Sequence, residues 1–221
     1  MAAYGEPGEK CPEFDERFDE LAYLLGLVSV LQALQHDLAA DGSVGVPLDA
    51  PRKAARATEC LNNARWWGVP NAIRAVVWTS IPGSAPEGAD PWYELSQAST
   101  LGRQAGVRLA EAIEAQAAWG AGRRDVLEAV IRSHAKSLAE TPSAAKWKTV
   151  DRIATLQIQA LSDRIWTEAQ GHRTPFGRLG TLPGDGAAPA GDPEGEGDLL
   201  DGLVDESAPA SDVDSPPPQE N

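Results

Sequence analysis

The stretch from Leu21 to Leu34 is apolar at almost every position: Leu21, Ala22, Tyr23, Leu24, Leu25, Leu27, Val28, Val30, Leu31, Ala33 and Leu34. Few folds accommodate such a segment. Phe14, Phe18, Leu21, Leu25 and Val28 step by three and four, as one face of a helix requires. Leu24, Leu27, Leu31, Leu34 and Leu38 form a second row. A helix that is apolar around most of its circumference is buried in a core or spans a membrane. The apolar run is 14 residues, short of the roughly 20 that a bilayer requires. Asp15, Glu16, Asp19 and Glu20 precede it, Gln32 lies near its end, and Gln35, His36 and Asp37 follow. The segment is therefore expected to be the central core helix of a soluble protein. Its acidic first turns suit the positive end of the helix dipole.

The rest of the chain is punctuated as further helices. Asp49 with Pro51 opens a second, which runs to Trp67 and stops at Gly68. A third starts near Pro70, carries Ile73, Val76 and Val77 inward, and ends at Pro82-Gly83. Asp90-Pro91 opens a fourth, expected to continue to Trp119. A fifth covers Arg123 to Ala139, with His134 among Leu127, Val130, Ile131 and Leu138. A sixth follows Thr141-Pro142, runs to Gln170 and stops at Gly171, with Trp147, Val150, Ala154, Ile158, Leu161 and Ile165 as its core row. No segment shows the alternation and turn chemistry of a sheet. The expected fold is all-α: one domain of about six mostly antiparallel helices over residues 12–172, between a flexible 1–11 and a tail at 173–221.

Within the fourth helix, Ala98, Gly102, Gly106 and Ala110 are small and spaced by four. An interior glycine costs about 1 kcal/mol relative to alanine. Two on one face point to a closely packed neighbour, either another helix of the chain or a second copy forming a homo-oligomer. The alternative is a break near Gly102.

Net charge is -14, but residues 174–221 alone carry -10, leaving -4 for residues 1–173. The acidity belongs to a tail rich in Pro and Gly and poor in aromatics, a composition that cannot offset its ordering entropy and is expected to be disordered. Leu199, Leu200, Leu203 and Val204 form an apolar island in it, flanked by Asp198, Asp201, Asp205 and Glu206. Such an island can dock on a protein partner as an acidic amphipathic turn. Cys11 and Cys60 match no metal or redox spacing, and Cys60 reads as a small core residue. The first residues lack the basic-then-apolar pattern of a signal peptide, so a cytoplasmic protein is expected. The abundance of Ala, Gly, Arg and Asp fits a bacterial or phage gene.

The most distinctive local feature is the run Asn62, Asn63, Arg65, Trp66, Trp67, Gly68, Asn71, Arg74 and Trp78. Two adjacent tryptophans at a helix end cannot both face one core direction. Either one of them is exposed for a partner, or both close the bottom of the core. Arg65, Trp66, Trp67, Asn71 and Arg74 are the candidate partner-binding residues. Residues 60–78 also loosely resemble a helix-turn-helix, with Ala64 and Gly68 at the turn. Asn63 and Arg74 stand where that motif has apolar residues. Lys146, Lys148 and Arg152 cluster at a helix start, where cations oppose the dipole. They are candidates for contact with an anion or with the acidic tail.

Catalysis finds little support. His36, His134 and His172 have no metal-ligand spacing, and no nucleophile lies beside a base. No metal or cofactor is expected. The leading expectation is a non-enzymatic helical adaptor that binds another protein. Alternatives are a DNA-binding regulator using residues 60–78, and a small-molecule binder or enzyme with a pocket between the first, fourth and sixth helices.

Overall fold

The computed structural model describes residues 4–81 and 83–185, apart from the side chain of Leu38. These residues hold seven α-helices and no strand: α1 (Arg17–Ala39), α2 (Ala50–Ala57), α3 (Val69–Ser80), α4 (Pro91–Ala105), α5 (Leu109–Gly120), α6 (Arg124–Glu140) and α7 (Lys148–Gln170). Single 3-10 turns follow α2 and precede α7. The all-α expectation holds. Residues 186–221, with the Leu199–Val204 island, lie outside the described residues.

The central helix is α5, not α1. α5 packs against α3, α4, α6 and α7, whereas α1 packs mainly on α2 and α3. Ala110, Ala112, Ala115, Ala117 and Ala118 of α5 are all buried. Small side chains at these positions let the surrounding helix backbones approach closely. α1 buries Leu21, Tyr23, Leu24, Leu27, Val28 and Leu31. It leaves Ala22, Gly26, Ser29 and Ala33 exposed, together with Phe18 at 69% exposure. Its apolar circumference therefore corresponds to a peripheral helix with one uncovered apolar face.

The expected fourth helix is two. Gly106 adopts φ +66° as the cap of α4, and the Val107 N–H donates to Gly102 O at 3.0 Å. A Cβ on Gly106 would lie 2.6 Å from Pro142 O. The reversal therefore needs glycine, for its conformation and for its size. The small-residue stripe is accordingly split across the bend, and Ala98, Gly102, Gly106 and Ala110 are all buried inside the chain. It offers no face to a second subunit. Asp90 does cap α4, accepting from Trp92 and Tyr93 N–H at 2.9 and 3.2 Å.

Both ends of the folded body extend beyond residues 12–172. Tyr4, Phe14 and Tyr23 form an aromatic trio with centroids 5.4–6.0 Å apart. Cys11 is joined to Cys60 by a disulfide, so Cys60 is a cross-link and not a packing residue. At the other end, Leu182 is buried, the Trp166 indole donates to Thr181 O at 3.0 Å, and Arg132 pairs with Asp185 at 2.6 Å. Composition alone placed residues 173–185 in the tail, but Leu179, Leu182 and a few polar contacts suffice to seat them on α6 and α7. No described helix is long and apolar enough to cross a membrane.

Candidate functional site

An open cleft of about 870 Å³ lies between the C-terminal halves of α1 and α5, the end of α3 and the middle of α7. The lining from α1 is Gln32, Gln35, His36 and Ala39, and from α7 it is Gln157, Ala160, Leu161 and Arg164. α5 supplies Gln116, Ala117 and Trp119. The Arg164 guanidinium stacks over Trp119, 4.9 Å from the ring centroid. The Gln157 Oε1 atom is buried behind the cleft wall without a hydrogen-bond partner among the described residues.

The outer face of α7 continues the same surface. Ile153 and Leu156 are 48% and 52% exposed. With Gln157, Ala160, Leu161 and Arg164 they recur at the three- and four-residue spacing of one helix stripe. The opposite face of α7 buries Val150, Ala154, Ile158 and Ile165. α7 is thus apolar on two sides and covered on one. The stripe from Ile153 to Arg164 is roughly 17 Å long at about 1.5 Å per residue, longer than a compact small molecule needs.

The tryptophans are elsewhere. Trp66 and Trp67 are only 1% and 5% exposed. They pack edge-on against each other and against Trp147, with centroids 5.2–5.9 Å apart. Trp67 at φ +54° and Gly68 at φ +81° fold the chain back so that both rings point inward. The exposed-tryptophan reading of Trp66 and Trp67 is therefore corrected: both close the core. Arg65 is engaged with Glu20 of α1 at 3.1 Å.

Residues 60–78 are not a helix-turn-helix. α2 ends at Ala57, the 3-10 turn ends at Cys60, and Leu61 is extended. The first helix of such a motif is therefore missing, and the connection is far longer than its usual three or four residues. α3 buries Val69, Ala72, Ile73, Ala75, Val76 and Val77, and Asn71, Arg74 and Trp78 on its other side are only partly exposed. Asn63, out of place for that motif, accepts the Asn71 N–H at 3.0 Å in the first turn of α3. Asn71 and Arg74 face away from the core into a second cavity of about 450 Å³, against α4.

A chain of buried polar groups joins α4, α5, α6 and α7. Glu111 pairs with Arg103 and with His134 Nδ1, both at 2.8 Å. His134 Nε2 lies 3.2 Å from Thr155 Oγ1. The Arg108 guanidinium pairs with Asp151 at 2.7 Å and donates to Ser137 Oγ, Ser137 O and Thr141 O. Asp151 also accepts the Arg108 N–H at 2.8 Å and the Ser143 hydroxyl. Beside them, Glu114 accepts from Ser99, and its burial holds its carboxyl above the usual glutamate range.

The order carboxylate, imidazole, hydroxyl in Glu111, His134 and Thr155 is that of an acid–base relay. Here it lines neither of these cavities, and Glu111 and His134 are fully buried. Through Arg103, Glu111, His134 and Thr155 it links α4, α5, α6 and α7. Sequence reasoning missed Glu111, Arg108 and Asp151. The fragment Leu109-Ala-Glu-Ala-Ile-Glu reads as a half-solvated helix until its carboxylates are known to be paired inside.

Lys146, Lys148 and Arg152 are exposed at the start of α7, where the Lys146 ammonium sits 4.8 Å from the Trp147 ring centroid. Among the described residues no cluster of three or more His, Cys, Asp or Glu is placed to hold a metal. Comparisons with protein-family models, with curated proteins and with solved structures find no match to this chain.

Proposed function

We propose that the protein is a helical adaptor that binds an amphipathic segment of a protein partner in the cleft between α1 and α7. The observation that carries this reading is the uncovered α7 stripe, which runs from Ile153 through Ala160 into the cleft. A helix laid in a groove presents apolar side chains at three- and four-residue spacing, and this wall presents the matching surface. Glutamines at the rim supply both donors and acceptors. An enzyme would need convergent catalytic groups in an accessible pocket. The relay-like groups of this chain lie sealed in the core.

The contact surface then lies away from Trp66 and Trp67, which are buried in the core. The Cys11–Cys60 bridge favours an oxidising compartment over the reducing cytoplasm expected from the first residues. A photo-reactive amino acid placed at position 156 should cross-link the partner in the native host, and one at position 132, on α6, should not. Adding Ala160→Glu should abolish the cross-link while leaving the helical circular dichroism unchanged. Equal cross-linking from positions 156 and 132 would remove the cleft as the docking site.

A further inference from the structure

We infer that the cavity between α3, residues 83–90 and the first turns of α4 binds a small zwitterion, an α-amino acid or short peptide with an apolar side chain. Asn71, Arg74 and Trp78 lie on one face of α3 and line this cavity of about 450 Å³, with Glu59, Pro86 and Glu94 around it. The inward face of α3 is fully apolar, so the polar and aromatic groups are sorted onto the side facing the cavity. Asn71 is fixed by the bond from its N–H to Asn63, and its side-chain oxygen accepts from Arg74 Nη2. The guanidinium is thereby held in place with its other N–H groups free of protein acceptors among the described residues.

The charges around the cavity are unmatched. Among the described residues Arg74 is in no ion pair, and neither Glu59 nor Glu94 is in one. One cation and two carboxylates thus share a cavity without touching. A ligand carrying both signs matches the guanidinium and one of the two carboxylates together. Its carboxylate takes the guanidinium as a charge-assisted pair, its ammonium takes Glu59 or Glu94, and its side chain lies on the Trp78 ring. A phosphate or nucleotide would meet two carboxylates of its own sign. A bare cation would meet Arg74. A pocket of this size lies within the range for small ligands.

The test is titration of the full chain, observed by 15N NMR, with L-phenylalanine and with glycyl-L-phenylalanine. The controls are N-acetyl-L-phenylalanine, which lacks the ammonium, and L-phenylalanine amide, which lacks the carboxylate. The expected result is saturable movement of the Trp78 indole N–H and the Arg74 amide. Each control should bind at least about tenfold more weakly than the zwitterion. The tighter of the two zwitterions identifies a free amino acid or a peptide as the natural class. Arg74→Gln should weaken the zwitterion and the acetyl compound, and Glu59→Gln with Glu94→Gln should weaken the zwitterion but not the acetyl compound. Unperturbed amide shifts in α5 and α6 would show that each variant remains folded. The inference is overturned if no saturable shift occurs up to about 10 mM, if the controls bind as well as the zwitterions, or if the shifts map away from Trp78 and Arg74.

Discussion

Arg108 and Asp151 are buried to 0% and 1% exposure and face each other at 2.7 Å. Removing one partner of such a pair strands the other charge in the interior, which costs about 3–5 kcal/mol. Asp151→Asn keeps the shape and deletes the charge, so it should lower stability by that amount in urea unfolding. The double replacement Arg108→Met with Asp151→Leu should not recover the loss, because it also strands the Ser137 and Thr141 carbonyls and the backbone N–H of residue 108 without partners. Glu114 behaves differently. Burial raises its carboxyl pKa in the folded chain, so the folded state holds its proton where the unfolded chain has lost it. This contribution is fully present below the unfolded value and is lost as pH rises through the raised folded value. Thermal melts of the wild type and Glu114→Gln between about pH 4 and 8 should therefore show the wild type losing ground to the variant as pH increases.

At the scale of elements, most helices were legible because their apolar periodicity and caps agree. Asp90-Pro91, Gly171 and the inward row Val150, Ala154, Ile158, Ile165 are where the sequence puts them. The failures have specific physical causes. α1 carries two apolar rows, which say that it is hydrophobic but not which row meets the core. α5 looked like the distal half of a longer helix because no single residue at Gly106 announces that Pro142 O lies against it. Trp66 and Trp67 could not be placed from spacing, since the reversal that buries both depends on left-handed backbone at Trp67 and Gly68. The candidate cleft was hardest to read. Its lining comes from four helices, and its chemistry is mostly glutamine and alanine, residue types that carry no motif.

For the whole molecule, the Cys11–Cys60 link encloses all of α1 and α2 in a covalent ring spanning 49 residues. The helix that forms one wall of the cleft is inside that ring. A chain pulled by its two ends cannot hand those residues to the tether while the bridge is intact. Extended backbone measures about 3.3–3.6 Å per residue, so the ring conceals roughly 16–18 nm of contour. Force-extension traces of single molecules should gain that length when a reductant is added. Under load, α1 and α2 are thus the part of the protein whose unravelling is gated by electrons and not by tension.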